Sequence, residues 1–363
     1  MSAYDYKELQ SKVIDLLRFP LIVAVVFIHG VGKDIFNNFN FIPSNDFILL
    51  TNLTTNGICR IAVPLFFLIS GYLFFAKKWN MRIYKEKLKR RVHSLLIPYL
   101  LFNLIGLIII GAFQLIVPEM ISGNYKTVPE YGLIDFLLAF WKMDKMNIPF
   151  VAPLWFIRNL MVVMLLSPLI YWGIKKLGGW FVLLFLISWY VNFYTFAIPG
   201  TMCLAFFSLG GWLRISGKNM VEVIIPYRKY SFIIYPILLL IGALTPVNSL
   251  LDIMTDNAVI LCGIVASVGV ASWGVEHYSW KIPVLFTSAT FFVYAAHVPY
   301  IGQFIKILLK FIPKSIPFME FDVIAWLMHL IVPIIFISLL IMIYHLLKKI
   351  FPHFTSLLVG ERK

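Results

Sequence analysis

The sequence has few charged residues and few cysteines, and both shortages exclude classes of protein. Charged residues make up 13% of the 363 positions, while hydrophobic residues make up 61%. Since about a quarter of an ordinary soluble domain is charged, this chain has too little polar surface to cover a globule in water. Three scattered cysteines exclude a disulfide scaffold, and we expect them to be buried thiols in a protein without a metal site.

Long apolar runs are what the sequence has in abundance. A helix needs about 20 mostly apolar residues to cross the hydrocarbon core of a membrane. The runs are continuous and do not alternate as the strands of a membrane barrel do. The sequence therefore predicts an all-α integral membrane protein, a single-domain helical bundle over residues 1–363 with about ten transmembrane helices. The predicted spans are 13–31, 57–76, 94–117, 153–174, 179–197, 199–215, 231–249, 257–275, 282–312 and 322–348.

Lysines and arginines predict the orientation, because they accumulate in the cytoplasmic loops of membrane proteins. They number 31 against 17 acidic residues, and eight of them lie in the segment from Lys77 to Arg91. Placing that segment in the cytoplasm brings both termini and 22 of the 31 basic residues to the same side. We therefore predict an N-in, C-in topology, and we attribute the net charge of +14 to this topology and not to nucleic-acid binding.

The first predicted span contains two ionisable residues that are costly in lipid, Arg18 and His29. At 100° per residue, a separation of eleven places them on one face of a helix, about 16 Å apart along its axis. We interpret this face as the lining of a polar path through the membrane. A neutral histidine is a suitable general base near pH 7. The alternative is a snorkelling arginine and a structural histidine within the bundle.

Further ionisable residues are expected near the outer side of the membrane. Arg60 and Arg158 lie near the outer ends of their predicted spans and His297 lies in the outer half of its span, at a depth similar to that of His29. Tyr294 precedes His297 by one helical turn. Depth alone predicts an outer cluster of these groups. The alternative is that the two arginines are interfacial anchors and that His297 is a structural histidine.

A cytoplasmic cluster is expected around Arg18. Lys89, Arg90 and Arg91 come just before the third predicted span. Arginine forms bidentate, charge-assisted hydrogen bonds with phosphates, so this group indicates a site for a polyphosphorylated ligand. The alternative is a basic loop that reflects topology alone.

Five motifs follow one another between about residue 10 and residue 340. They are R-x10-H in the first span, RIAVPLFFLISGYLFF (60–75), KRR before a P-Y pair (89–99), LWFIRNL (154–160) and FFVYAAHVPY (291–300). Together they resemble the membrane-bound acyltransferase family 3, the bacterial O-acetylases of surface polysaccharides and related glycans. The resemblance is to the stand-alone members, which lack an appended SGNH esterase-like domain.

This resemblance implies an acyltransferase of the bacterial cytoplasmic (inner) membrane. Its donor would be cytoplasmic acetyl-CoA or another acyl-CoA, a substrate and not a permanently bound cofactor. Its acceptor would be a hydroxyl of a cell-surface glycan or a lipid-linked sugar. His29 would be the catalytic histidine with Arg18 as its essential partner, while Arg90 and Arg91 would meet the CoA phosphates. Many members have a third arginine where Ser94 stands here, so phosphate contact is expected to be weaker or supplied elsewhere.

The resemblance assigns further roles. A turn of Ser70, Gly71 and Tyr72 would pack and help to bind the donor near the cytoplasmic end of the second span. The residues expected on the substrate side are Arg60, Trp155, Arg158, Tyr294 and His297. The alternative function is a transporter or flippase, in which the same buried cations line the path of an anionic or sugar substrate.

Overall fold

The protein is built almost entirely of α-helices, as predicted. A computed structural model describes residues 3–30, 44–77, 79–116, 126–143, 147–193, 198–245, 249–298, 300–301 and 318–361. Within these ranges the extended backbone pairing is limited to an isolated bridge between Met143 and Ile148. The apolar stretches form helices because a helix satisfies its backbone hydrogen bonds within one segment, as a membrane requires.

The helices are named in chain order. The first part of the chain forms α1 (Ala3–Ile28), α2 (Asn45–Thr54), α3 (Ala62–Phe74), α4 (Met81–Arg91), α5 (Ile97–Ile116), α6 (Leu133–Ala139), α7 (Trp155–Leu165) and α8 (Ser167–Leu177). The second part forms α9 (Gly179–Tyr190), α10 (Thr201–Ile215), α11 (Met220–Ile224), α12 (Arg228–Leu244), α13 (Leu250–Tyr278), α14 (Val284–Ala296), α15 (Phe318–Ile350) and α16 (Pro352–Leu358). A π-helical turn, Val92–Leu96, joins α4 to α5, so the basic segment leads directly into an apolar helix.

Five helical stretches of the described chain are long and apolar enough to cross a membrane, or six if α7 and α8, bent by 60°, form one span. The five are Asn45–Phe74, Met81–Ile116, Met220–Leu244, Leu251–Tyr278 and Asp322–Ile350. Helices α9, α10 and α14 are apolar but have only 12, 15 and 13 residues. Because a span needs about 20 residues, length and composition do not reach the predicted number of ten. Parts of the predicted spans, at 31, 117, 194–197, 246–248, 299 and 302–312, lie outside the described residues.

Helix α13 begins at Leu250, ahead of the predicted start at residue 257. The hydroxyl of Ser249 caps its N-terminus, accepting a hydrogen bond of 2.9 Å from the backbone N–H of Asp252. Serine is a favoured N-cap residue because its oxygen satisfies a backbone donor that has no partner in the helix. The longer helix therefore carries two carboxylates near its N-terminus, Asp252 and Asp256.

Helix α1 lies in the centre of the bundle. It packs against α3, α11, α13, α14 and α15. Its apolar residues are buried around most of its circumference, including Val13 and Val26, which have no exposed surface. The exposed positions of α1 include three ionisable residues, Lys12, Asp15 and Arg18, so this helix buries its apolar face and leaves a charged face open.

Helices α3 and α10 approach each other closely at two glycines. A Cβ added to Gly71 would lie 2.0 Å from the carbonyl oxygen of Phe207, and one added to Gly210 would lie 2.0 Å from that of Leu68. Small residues let two helix backbones come this close. The contact fixes the rotation of α3, whose other face, with Ser70, lines a large cavity.

Candidate active site

Two histidines from distant parts of the chain meet inside the bundle. His29 follows the end of α1, in a tight turn where its backbone N–H donates to the Val26 carbonyl at 3.1 Å. His297 follows the end of α14. The centroids of the two imidazole rings are 5.2 Å apart. His29 is half-buried, whereas His297 has no exposed surface.

The hydrogen bonds of His297 define its protonation. Its Nδ1 atom lies 2.7 Å from the backbone carbonyl oxygen of Tyr294. A carbonyl only accepts hydrogen bonds, so Nδ1 carries a proton and Nε2 of the neutral ring has a lone pair. This Nε2 atom is buried and has no hydrogen-bond partner among the described residues. Tyr294 is held in turn because its hydroxyl donates to the carbonyl of Pro153.

A cavity of about 610 Å³ runs along α1, and neither histidine is among the described residues that line it. Arg18, Ile22 and Val25 line it on α1, and this is the helix face that the spacing of Arg18 and His29 predicts. From Arg18 to Val25 the helix rises about 10 Å. Tyr294 also lines the cavity, one helical turn before His297. The volume is in the range of small-molecule and cofactor sites.

Among the described residues that line this cavity, the charged ones are Arg18, Arg91 and Glu361. Arg18 lies 3.0 Å from Asp15 in an ion pair on the surface of α1, and both side chains are more than half exposed. An exposed pair of this kind contributes little to stability, so its arginine is available to an anionic ligand. Arg90 is exposed but does not line the cavity. The structure thus places one of the two expected phosphate-binding arginines, Arg91, beside Arg18.

The segment Ser70, Gly71 and Tyr72 lies inside α3, so the prediction of a turn is wrong. Among the three, Ser70 faces the cavity. Gly71 forms the close contact with α10, which explains why a helix-weakening residue is present within a helix. The Tyr72 hydroxyl donates to the carbonyl of Lys218 and accepts from Arg214, both at 3.2 Å. Gly71 and Tyr72 therefore hold α3 and α10 together.

The expected outer cluster is divided among separate places. Arg60 forms an ion pair with Asp256, with 2.5 Å between Nη1 and Oδ2, beside a small pocket of about 70 Å³. Arg158 is 2% exposed and donates hydrogen bonds to the Trp141 carbonyl and to the Asn159 side chain. The depth predicted from the spans gives the position of a residue along the membrane normal. It does not show which helices are neighbours, so it could not predict that these residues lie apart.

Trp155 begins α7 and packs against the ring of Phe67, with 6.4 Å between the ring centroids. It does not line the main cavity. The structure therefore gives this tryptophan of the LWFIRNL motif a packing contact with α3.

Several residues that line the cavity were not predicted from the sequence. Thr287 and Thr290 line the cavity on α14, and with Tyr294 and His297 they follow at spacings of three, four and three residues. Such spacing places polar groups on one helix face and could have revealed this stripe. No sequence pattern indicated a role for Glu361, because only the tertiary structure brings the C-terminal segment and α1 to the same cavity.

The structure also accounts for Ser94. A Cβ added to Gly360 would lie 2.7 Å from the Cα of Ser94, so the C-terminal segment packs directly on this position. Gly360 has a φ of +66°, a backbone conformation that favours glycine. The C-terminal segment therefore lies directly against the backbone of Ser94, and its next residue, Glu361, lines the cavity.

Comparison with known proteins completes this description. No curated protein matches the chain. No solved structure matches it either. The family model described as an acyltransferase domain matches residues 12–351, nearly the whole chain, and all five sequence motifs lie within these bounds. The match therefore shows that the chain is a membrane acyltransferase and belongs to acyltransferase family 3.

Proposed function

We propose that this acyltransferase moves an acetyl group from cytoplasmic acetyl-CoA to a hydroxyl of a cell-surface glycan or a lipid-linked sugar, in the bacterial inner membrane. One observation carries the proposal. A single cavity is lined at one end by Arg18 and Arg91 and extends to Tyr294, one turn before His297. It offers cations for a phosphorylated donor, and it reaches Tyr294, whose ring centroid lies 6.3 Å from that of His297; the two histidines are not among the described residues that line it.

The donor fits the cavity by its chemistry. Its phosphates would bind the guanidinium groups of Arg18 and Arg91 through charge-assisted hydrogen bonds. Its pantetheine arm would lie between Ile22 of α1 and the aromatic rings of Phe66 and Phe156, which also line the cavity. The thioester would then lie in the deep part of the cavity, toward the two histidines.

The transfer needs a base and a proton donor. His29 is the half-buried member of the pair, so it is the one that an acceptor hydroxyl can reach. Its neutral ring takes the hydroxyl proton while the oxygen attacks the thioester carbonyl carbon. The new C–O bond forms, the C–S bond breaks, and the imidazolium returns its proton to the leaving thiolate. The products are the O-acetyl ester and CoA with a free thiol.

The same cavity supports the N-in, C-in topology of about ten spans. Arg18 belongs to the first helix, Arg91 to the basic segment that ends α4, and Glu361 to the C-terminal segment. These three parts of the chain line one cavity, which supports placing them on the same side of the membrane. The basic residues of α4 make this side the cytoplasmic one.

The acceptor would approach from the opposite side. There the Arg60–Asp256 pair, with the side chains of Asn52 and Asn56, lines the small polar pocket. These groups supply the hydrogen-bond donors and acceptors that sugar hydroxyls require.

Thermal unfolding of the purified protein tests donor binding. A ligand that binds the folded state at 100 times its Kd adds about 2.7 kcal/mol to the free energy of unfolding. We expect acetyl-CoA to raise the Tm, with ATP at equal concentration as the control for unspecific anion binding. An equal effect of ATP, or none from any acyl-CoA, would contradict the proposal.

Transfer is measured as base-labile label incorporated from radioactive acetyl-CoA into inside-out membrane vesicles of the native host. We expect His29→Ala to lower this rate by about 10²- to 10⁴-fold, the usual contribution of a general base. The Tm shift with acetyl-CoA should remain. His277→Ala is the matched control, because His277 is an exposed histidine at the end of α13. Full activity of His29→Ala would refute the assignment.

A further inference from the structure

The buried Nε2 atom of His297 is the feature that the proposed reaction leaves unexplained. It belongs to a side chain with no exposed surface, and it makes no hydrogen bond within the part of the chain that the structure describes. Buried polar atoms in folded proteins nearly always have a partner, because an unsatisfied one costs free energy. The lone pair of this atom therefore needs a hydrogen-bond donor, which a neighbouring side chain must supply.

The neighbouring group is His29. Two imidazoles joined by an N–H···N hydrogen bond of about 2.9 Å have their centroids about 5 Å apart, given ordinary hydrogen-bond lengths. The observed separation of 5.2 Å leaves room for this bond. The rings are inclined by 50°. A rotation of the half-buried His29 ring brings one of its nitrogens to the Nε2 atom of His297.

Resting on the proposed role of His29 as general base, we propose that His297 is the residue that positions it. The Tyr294 carbonyl fixes the proton of His297 on Nδ1, and Nε2 then accepts the ring proton of His29. The other nitrogen of His29 is thereby left with its lone pair directed to the acceptor hydroxyl. His297 thus has the part that a buried carboxylate has behind the histidine of a catalytic triad, but without a charge.

A second role for His297 must be separated from this one. Its Nδ1–H bond to Tyr294 also caps the C-terminal end of α14, since it satisfies a carbonyl of the last helical turn. Replacement by asparagine keeps a donor at the Nδ1 position but provides no acceptor at the Nε2 position. Replacement by glutamine does the opposite, because its amide oxygen reaches the Nε2 position.

The two variants are compared in the vesicle assay and by thermal unfolding. We expect His297→Asn to keep the wild-type Tm, the wild-type Tm shift with acetyl-CoA and a donor KM within about twofold, while kcat falls at least about tenfold. His297→Gln should have the lower Tm and yet the higher kcat of the two. Capping alone predicts the reverse order, and that result would overturn the proposal.

His29→Ala keeps this inference distinct from the proposed function. If His29→Ala is inactive while His297→Asn is fully active at normal Tm, the positioning role is refuted and the base is not. If His29→Ala is fully active, the proposed function itself fails. The double variant His29→Ala/His297→Asn should be no slower than His29→Ala alone, because a positioning residue has nothing left to position. An additional loss in the double variant would contradict the inference.

Discussion

Replacement of Gly71 by alanine tests the packing that holds the cavity wall in place. The added Cβ would lie 2.0 Å from the carbonyl oxygen of Phe207, a backbone atom that cannot rotate away. An ordinary contact is about 3.4 Å or longer, so α3 and α10 must separate by on the order of 1 Å. A gap of that size forfeits a quarter to a half of the dispersion energy of the contacts involved.

Two opposing terms decide the size of the effect. Alanine in place of glycine favours the helix by about 1 kcal/mol. Overpacking a well-packed interface costs about 1–3 kcal/mol, and contact with fixed backbone lies at the upper end. We therefore expect a net loss of about 2 kcal/mol and a fall in Tm of about 3 °C or more. The Tm shift with acetyl-CoA should also shrink, because Ser70 on the same helix lines the cavity.

Gly242→Ala is the matched control for this substitution. Gly242 also lies inside an apolar helix, α12, but its added Cβ would have its nearest neighbour, a methyl carbon of Val259, at the ordinary distance of 3.4 Å. Gly242→Ala should gain the favourable helix-propensity free energy without a steric overlap of the added Cβ. Its Tm should therefore equal or exceed that of the wild type. A Tm of Gly71→Ala as high as that of Gly242→Ala would refute the reasoning.

Two further predictions concern the charges of the cavity. Arg91→Ala should weaken acetyl-CoA binding about 10- to 100-fold, because one or two charge-assisted hydrogen bonds are lost. Arg90→Ala should weaken binding less than about threefold, because that side chain is exposed and outside the cavity. Both affinities are measured by titrating the Tm shift, and equal losses in the two variants would contradict this prediction. Hydrogen bonds from Lys348 and Ser356 hold the pKa of Glu361 below its usual value of 4.5. A carboxyl group with a lowered pKa stabilises the fold above its unfolded pKa and loses this effect as the pH falls through the folded one. Glu361→Gln should therefore lower the Tm at pH 7, and the difference from wild type should shrink as the pH falls below 4.5 and through the lowered folded pKa; a constant difference across this range would be the contrary result.

Local spacing predicted the parts of the site that lie on one helix. The face of α1 that carries Arg18 depends only on 100° per residue, and the cavity indeed runs along it. Depth placed His29 and His297 in one expected cluster, because His29 lies near the outer end of its predicted span and His297 lies in the outer half of its own. The sequence could not predict the partner of each cation. Arg60, for example, pairs with the carboxylate of Asp256, which lies 196 residues away in the sequence.

Helix boundaries set a second limit. The apolar content of residues 179–197 and 282–312 predicted whole spans, yet the described helices there, α9 and α14, have 12 and 13 residues. Hydropathy measures how apolar a stretch is, but the end of a helix depends on caps and on contacts with other helices. The turn predicted at Ser70 is also wrong. The neighbouring residue, Gly71, allows a close contact with α10 and does not change the direction of the chain.

The C-terminal segment has a practical consequence for experiments on this protein. Val359 and Glu361 line the cavity, and both lie beyond residue 351, where the family match ends. A fluorescent reporter or affinity tag joined after these residues would stand beside this cavity, at the entrance that we propose for the donor. Topology mapping with such fusions would then lower activity while reporting the correct side of the membrane. A protease site placed between Glu361 and the fusion would restore donor access after cleavage.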